Sequence, residues 1–358
     1  MDLRRVVVLG AGKIGVAVAG LLTGSGDYAV TLADSDGEAL ARRAPDGVRR
    51  AQVDVRDDDA LQALLTGHQI VVSALPFHCN VAVARAARAI GLHYFDLTED
   101  VETARAVRAI GEGADTVFVP QCGLAPGFVS MVAMALVGQF DAVEEVHLRV
   151  GALPQFPNNT LKYNLTWSIE GLINEYCNPC EALVDGALVT VPPLEAVEQF
   201  SLDGVGYEAF STSGGVGTLC ETLAGRVRNL DYKTVRYPGH RDLMRFLVRD
   251  LRLGERRELF RDVIENAIPV TRQDLALIFV SVVGRKGGLL TQESWAQKIY
   301  GDGFDGGLSA IQKTTAAGLC AMIDLHGLGL IPETGVVRQE QARLEDVLDN
   351  RFGHVFGE

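Results

Sequence analysis

Six short apolar runs, each separated from the next by a helical pattern, fill the first 120 residues. They are "RRVVVLG", "YAVTLAD", "VRRAQVDV", "QIVVSAL", "HYFDLT" and "TVFVP". Between them stand "KIGVAVAGLLTG", a segment near residues 37–44, "DDALQALLTG", "NVAVARAARAIG" and "VETARAVRAIGEGA", whose apolar residues recur at helical spacing. A continuous β-branched run such as "VVVL" is buried on both faces, and strand-helix-strand units joined by right-handed crossovers build a parallel sheet with helices on both sides. The expected fold is therefore α/β, with an N-terminal Rossmann-like, doubly wound parallel sheet.

The pattern changes after Gly127. A helix to about Gly138 and a strand "EEVHLRVGAL" precede an irregular stretch, residues 155–225, rich in Asn, Pro, Gly and aromatics. Strands return at "LDYKTVRY" and in a hairpin, "LALIFVSVVGRKGGLLTQESWAQKIYG", whose "GRKGG" supplies the glycines that positive φ requires. "HRDLMRFLVRDLRL" and "ERRELFRDVIENA" read as amphipathic helices, and "SAIQKTTAAGLCAMIDLHGLG" as a long apolar helix. This predicts a first domain over 1–125, a second α+β domain with a mixed sheet over 126–305, and a C-terminal helical segment, 306–358, packing back on the first.

With 33 basic against 46 acidic residues the formal charge is −13, which excludes a phosphate-backbone partner needing a basic face. The uncharged stretch Val117–Gly138 is broken by Pro120, Gly123, Pro126 and Gly127, so it reads as buried structure rather than a membrane span. The opening "MDLRRVVVLGAG" has no secretory pattern, and a cytoplasmic location with reduced cysteines is expected. Cys177 and Cys180 form a C-x-x-C with no second pair at zinc spacing; no metal is expected.

Gly10-Ala11-Gly12-Lys13-Ile14-Gly15 is G-x-G-x-x-G placed after a strand and at the start of a helix, the context the pattern requires. Gly10 permits the tight turn, Gly12 leaves room for a pyrophosphate, and Gly15 lets helix and strand pack closely. Asp34 ends the second strand, 19 residues beyond Gly15. A carboxylate there accepts ribose hydroxyls and repels a 2′-phosphate, and Ser35-Asp36 offers no arginine for that phosphate, so NAD is the expected cofactor. Asp54 either approaches the adenine edge or caps the next helix. Ligands in such sheets sit beyond the strands' carboxyl ends, which puts Ala74, Leu75 and Pro76 near the nicotinamide and Asp96, Thr98 and Glu99 at the substrate cleft. Thr98 or Asp100 can equally cap the following helix. Cys122, in "CGLAPG", belongs to the wall of the substrate site, as packing rather than as a nucleophile.

Residues 162–171, "KYNLTWSIEG", interleave Tyr163 and Trp167 with Lys162, Asn164, Ser168 and Glu170, a mixture suited neither to a buried strand nor to a plain solvent loop. With "SALPFHCN", "CGLAPG", "YNLTWSIEGL", the "TSGG" of 212–215 and "YKTVRYPGH", the chain resembles the saccharopine dehydrogenase family over nearly its whole length, and within it is most similar to the lysine 6-dehydrogenases. The resemblance implies a Rossmann domain, an inserted α/β substrate domain, a C-terminal helix returning to the first domain, and a homodimer. It also implies a small amino-acid substrate and NAD-dependent oxidation of the ε-amine of L-lysine to a semialdehyde that cyclises. Glu170 stands where saccharopine-forming reductases carry a carboxylate-binding arginine; it either attracts an ammonium group in the cleft or points away to a surface cation. His240 is a candidate proton acceptor or a helix cap, with Asp96 and Glu170 as carboxylates beside the base. Arg236 and Arg241 are candidates for holding the substrate carboxylate, or for internal ion pairs. The enzyme alternative is a saccharopine-type enzyme acting on a secondary amine; the alternative outside catalysis is a dinucleotide sensor.

Overall fold

The computed structural model describes residues 3–303 and 307–357. The chain forms two compact units, residues 1–128 with 312–358, and residues 129–311.

The first unit is the expected doubly wound α/β layer. Its strands and helices alternate as β1 (Arg4–Leu9), α1 (Lys13–Ser25), β2 (Tyr28–Asp34), α2 (Gly37–Arg43), β3 (Arg49–Gln52), α3 (Asp58–Leu65), β4 (Ile70–Ser73), α4 (Asn80–Ile90), β5 (His93–Asp96), α5 (Val101–Gly111) and β6 (Val117–Val119). Every pairing between these strands is parallel, in the order β6-β5-β4-β1-β2-β3, so the order reverses at β1 and β4. Val6–Leu9 and Ile70–Ser73 are fully enclosed, as their unbroken apolar runs require. The helices start on side-chain caps: Asp36 receives the Glu38 and Ala39 amides, Asp57 that of Ala60, and Asp100 that of Thr103. Asp100, not Thr98, is thus the cap of α5.

The second unit comprises α6 (Phe128–Val137, which begins at the junction), β7 (Ala142–Pro154), α7 (Ile169–Cys177), β8 (Cys180–Val184), β9 (Ala187–Val191), β10 (Glu198–Leu202), β11 (Val205–Ser211), α8 (Leu219–Leu223), β12 (Asn229–Arg236), α9 (His240–Arg245), α10 (Arg257–Ala267), β13 (Asp274–Lys286) and β14 (Leu289–Tyr300). Its mixed sheet runs β10-β11-β12-β7-β13-β14, with β8 pairing β12 and β9. The stretch expected to be irregular therefore contains four strands and two helices. Helix α7 starts where the Ser168 side chain accepts the Gly171 amide at 3.2 Å, and it stops before Pro179, which excludes a helical conformation at Asn178. Leu172, Ile173 and Tyr176 on α7 join Phe210, Met244, Phe260 and Ile264 in one apolar core.

The first unit is completed from the far end of the sequence by α11 (Ala310–Gly327) and β15 (Gly335–Val336), which adds a parallel edge strand beside β6. Asp324 on α11 fastens it: its carboxylate accepts from Tyr28 Oη at 2.8 Å, Asn350 Nδ2 at 2.9 Å and Arg351 at 2.7 Å. No helix among the described residues is long and apolar enough to cross a membrane.

Candidate functional site

Each glycine of the first turn has the task its position predicts. Gly10 has φ +104°, and a Cβ there would lie 2.6 Å from the Ala74 carbonyl oxygen. A Cβ on Gly15 would lie 1.9 Å from the Gly10 carbonyl oxygen, whereas one on Gly12 would meet nothing within 4 Å. Helix α1 begins at Gly12 with no side-chain cap and no acidic residue in its first turn, so its positive end is left for an anion. Lys13 is exposed and Ile14 half-buried in that turn. The carboxylate of Asp34 accepts the Ala11 amide at 2.7 Å and the Asp36 amide at 2.9 Å, which holds it beside the glycine turn at the end of β2. A bare glycine facing open space, an uncapped helix start and a carboxylate at the ribose position together fit a nicotinamide dinucleotide.

One cation near this turn escaped the sequence reading: Arg43, at the end of α2, donates to the Ala11 carbonyl at 3.4 Å. Its only signal was its place in the helix after Asp34. Asp54 does not cap the next helix. Arg56 grips its carboxylate twice, at 2.6 and 2.9 Å, and holds its pKa down at about 2, while Asp57 takes the capping role. An exposed ion pair, rather than a bare carboxylate, therefore stands at the end of β3.

At the switch point, Ser73 Oγ donates to Asn80 Oδ1 at 2.7 Å and the Ala74 amide to the Leu9 carbonyl at 2.9 Å. These bonds pin the start of the Ala74-Leu75-Pro76 loop; Ala74 and Leu75 are half-buried and Pro76 is exposed. Asp96 does not act as a cleft carboxylate. It is fully buried, and it accepts from Tyr94 Oη at 2.8 Å and from the Thr98 and Gln121 amides at 3.0 and 2.9 Å. Burial raises its pKa against these bonds. Its role is to tie the loop after β5 to the loop after β6. Thr98 is buried beside it with no protein partner for its Oγ1. Cys122 has no exposed surface; its thiol donates to the Val119 carbonyl, and Gln339 Nε2 donates to its sulfur. It packs the wall and touches no open space that a substrate could enter.

The aromatic and polar residues of "KYNLTWSIEG" belong to a buried cluster in the second unit. Arg236, at the end of β12, is 2% exposed and lies over the Tyr163 ring, 4.9 Å from its centroid. Its Nε donates to Tyr176 Oη at 3.0 Å, one terminal nitrogen donates to the Val235 carbonyl at 2.9 Å, and the other stands 3.6 Å from the carboxylate of Glu175. Trp167 Nε1 donates to Tyr163 Oη at 3.1 Å. His240 Nδ1 is 2.8 Å from the Leu161 carbonyl and its Nε2 is 3.0 Å from Tyr176 Oη. A carbonyl only accepts, so the proton sits on Nδ1, and Tyr176 donates to the lone pair on Nε2. The chain of bonds runs one way, from Arg236 through Tyr176 and His240 to Leu161.

This arrangement bears on three residues whose roles the sequence left open, and for Glu170 and Arg241 it shows the ion-pair alternative. His240 is neutral: burial first, and Arg236 second, depress its pKa to about 3, so it does not take up a proton near neutral pH. Glu170 points to the surface, where Arg261 on α10 meets it at 3.1 Å with both side chains more than 40% exposed. Arg241 is engaged by Glu195 at 3.0 Å and by Asp242 at 2.8 Å, and its Nε donates to the Leu194 carbonyl. Glu175 and Tyr176 were not singled out in the sequence, because they lie in the segment read as irregular.

The depressed His240 pKa has a consequence for stability. The unfolded chain binds a proton on this side chain as pH falls below about 6.5, whereas the folded chain does not until about 3. Stability therefore falls as pH drops through that window, by up to about 1.4 kcal/mol per unit from this residue. Denaturation at several pH values, followed by fluorescence of Trp167 and Trp295, both in the second unit, measures this. His240→Asn should flatten the acid limb; parallel curves would show that His240 does not set it.

Among the described residues no group of three or more His, Cys, Asp or Glu is suited to a metal ion. Comparison with known proteins agrees with both halves of this geometry. Residues 6–117 match the saccharopine dehydrogenase NADP binding domain, and residues 123–352 match the saccharopine dehydrogenase C-terminal domain. The chain is 28% identical over 208 residues to the saccharopine dehydrogenase [NADP(+), L-glutamate-forming] of Saccharomyces cerevisiae, covering 52% of this chain and 44% of that protein. It is 24% identical over 267 residues to the protein of the same name in Pyricularia oryzae, covering 69% of this chain and 58% of that one. It thus spans about half the length of these fungal relatives. The solved apo saccharopine dehydrogenase (L-Glu forming) of Saccharomyces cerevisiae superimposes with a TM-score of 0.77 at 17% identity, over 96% of this chain and 95% of that one. A dinucleotide cradle matched to one domain of a family, and a buried arginine cluster on a mixed sheet matched to the other, place this chain in the saccharopine dehydrogenase family.

Proposed function

We propose that this chain is an NAD-dependent dehydrogenase that oxidises a carbon–nitrogen bond of an amino acid, with the ε-amine of L-lysine as the substrate. The observation that carries the choice of a free diamine acid is the charge balance around the candidate carboxylate clamps. In the buried cluster Arg236 is already faced by Glu175, whereas Arg241 stands in another group, where it shares Glu195 with Arg245 and Arg249. With His240 neutral, the cluster has no surplus positive charge for the additional carboxylates that saccharopine brings. A substrate with one carboxylate and two amines suits it better.

In the first unit the glycine turn and the start of α1 hold the diphosphate, and Asp34 takes the ribose hydroxyls. The carboxylate of Asp34 favours NAD over NADP, although the matching domain family and the yeast relative carry NADP in their names. The cofactor supplies the hydride acceptor: lysine, NAD+ and water give the semialdehyde, ammonium, NADH and a proton.

A second reading, oxidation of the secondary amine of saccharopine, is favoured by the Glu170–Arg261 pair. With Glu170 turned to the surface, nothing at that position repels a second carboxylate. The deciding experiment is NADH formation from L-lysine, ornithine, diaminopimelate, saccharopine and simple diamines, repeated with NADP. Turnover of lysine with NAD supports the proposal. Turnover of saccharopine instead establishes the second reading, and NADP turnover at equal kcat/KM would contradict the role given to Asp34.

A further inference from the structure

Two cavities open at the amino ends of the first unit's strands, the end opposite the glycine turn. Each has two arginines in its wall, and they differ in charge. In the larger, of about 540 Å³, Arg4 and Arg351 stand with Asp27 and Asp324. Arg351 is paired with both carboxylates, and Arg4 donates to the Gly327 carbonyl at 2.8 Å. Its charges are matched within the fold. The smaller, of about 350 Å³, has Arg5, Ala29, Val30, Thr31, Arg49 and His68 in its wall, and no carboxylate lines it among the described residues. Arg49 makes no hydrogen bond or ion pair among those residues, and the Arg5 side chain makes only the bond from Nε to the Gly67 carbonyl. In a chain with a formal charge of −13, two unmatched guanidinium groups in a cavity free of carboxylates call for an external anion.

The sheet aims both arginines at one place. Arg5 on β1 is in register with Ala29 on β2, and Arg49 on β3 with Thr31. Positions 29 and 31 are two apart, so all four side chains leave the same face of the sheet. β1 and β3 flank β2 about 10 Å apart, with the short Ala29 side chain between the two arginines. The remaining polar groups are occupied. His68 Nδ1 is 2.9 Å from the Leu64 carbonyl and Nε2 is 3.1 Å from Thr31 Oγ1, so Thr31 donates to a neutral ring. Burial lowers the His68 pKa, and Arg49 and Arg5 lower it further, since both cations stand close to this ring.

We propose that this cavity binds the phosphate group of a small phosphate monoester, with Arg5 and Arg49 gripping it from two sides. Two cations suit a group that is close to a dianion at neutral pH. A phosphate also offers three oxygens in different directions, whereas a carboxylate presents both of its oxygens along one edge. Ala29 and Val30 supply an apolar wall for the organic part of the ester. Arg5 precedes Gly10 by five residues along β1, roughly 17 Å, so this site is separate from the diphosphate cradle and does not depend on which amine is oxidised.

The test is calorimetric titration of the full chain with phenyl phosphate, with NADH at saturation so that the cradle is filled. Wild type should bind the ester, and Arg49→Gln and Arg5→Gln should each weaken binding by about 10-fold. Arg49 has no bond to lose, so its removal tests the site without disturbing the fold. Arg5→Lys keeps the charge but not the planar fork, and should fall between wild type and Arg5→Gln. Arg50→Gln is the control. It follows Arg49 on β3 and leaves the opposite face of the sheet, so binding should be unchanged. The Kd for NADH should be the same in all four variants. Inorganic phosphate binding as tightly as phenyl phosphate would support the site with free phosphate as its occupant. The proposal is overturned if wild type shows no binding up to about 10 mM. Equal losses in Arg49→Gln and Arg50→Gln, or tighter binding of succinate than of phenyl phosphate, would overturn it as well.

Discussion

Gly15→Ala should weaken NADH binding by on the order of 100-fold or more, and this is among the largest effects expected of any single methyl group added to the chain. The added Cβ would lie 1.9 Å from the Gly10 carbonyl oxygen and 3.3 Å from the Ala74 Cβ. The first of these is backbone and cannot rotate away, so α1 must withdraw from the turn that follows β1. That movement pulls the helix start away from the diphosphate position and loosens the Ala11 amide held by Asp34. Fluorescence titration with NADH measures the effect. Gly24→Ala, in the same helix, is the control: its Cβ would meet nothing within 4 Å, so the variant should bind normally and gain a few tenths to about 1 kcal/mol of stability. Equal binding by both variants would show that close packing at Gly15 is not what shapes the cradle.

Arg236→Met should destabilise the second unit by about 3–5 kcal/mol, the range found when one member of a buried ion pair is removed. The loss has three parts on this structure: Glu175 loses the guanidinium that faces it, Tyr176 loses the donor to its hydroxyl oxygen, and the Tyr163 ring loses the guanidinium stacked on it. Urea denaturation followed by the two tryptophans, both in this unit, reports it. The double variant Arg236→Met/Glu175→Gln should be less destabilised than Arg236→Met alone, because no unmatched charge remains. If the double variant is as unstable as the sum of the single ones, Glu175 is not the counter-charge.

The parts of this molecule that could be read from the sequence are those whose reason is local. The inner strands of the first unit show as apolar runs because both faces are covered, unlike the polar and mostly exposed β3, and the three glycines show because each stands at a defined place between β1 and α1. The strands β8 to β11 were missed because edge strands such as β9 and β10 mix polar and apolar residues and are only half-buried. Yet their turns did carry a signal. Asp185-Gly186 joins β8 to β9 with φ of 49° and 79°, and Asp203-Gly204 joins β10 to β11 with φ of 53° and 77°. Asp-Gly between alternating residues is the signature of a two-residue hairpin, as legible as the glycines between β13 and β14 that were recognised.

The roles of several site residues depend instead on contacts distant in sequence. Whether Glu170 faces a ligand depends on Arg261, ninety-one positions later, and whether Asp96 is available depends on Gln121 from the next strand's loop. His240 looked like a base because its ordinary pKa lies near neutrality; only the fold reveals its burial and the guanidinium beside it. Tyr163 and Trp167 were expected among the substrate-binding residues; in the fold the Arg236 guanidinium lies over the Tyr163 ring and Trp167 donates to the Tyr163 hydroxyl.

The way the first unit is closed has a consequence for how the protein is made. Its edge strand β15 and its fastening at Asp324 come from residues 312–358, which a ribosome delivers after the whole of residues 129–311. At about 5–20 residues per second, that interval lasts roughly 10–40 s. During it the nascent dinucleotide-binding layer waits with the side of β6 unpaired and Tyr28 without its Asp324 partner, while the second unit can already fold. The cradle for the cofactor stands near the amino terminus, but it becomes part of a finished body only when the last segment arrives. Biosynthesis thus delivers the whole of the second unit before the segment that completes the first.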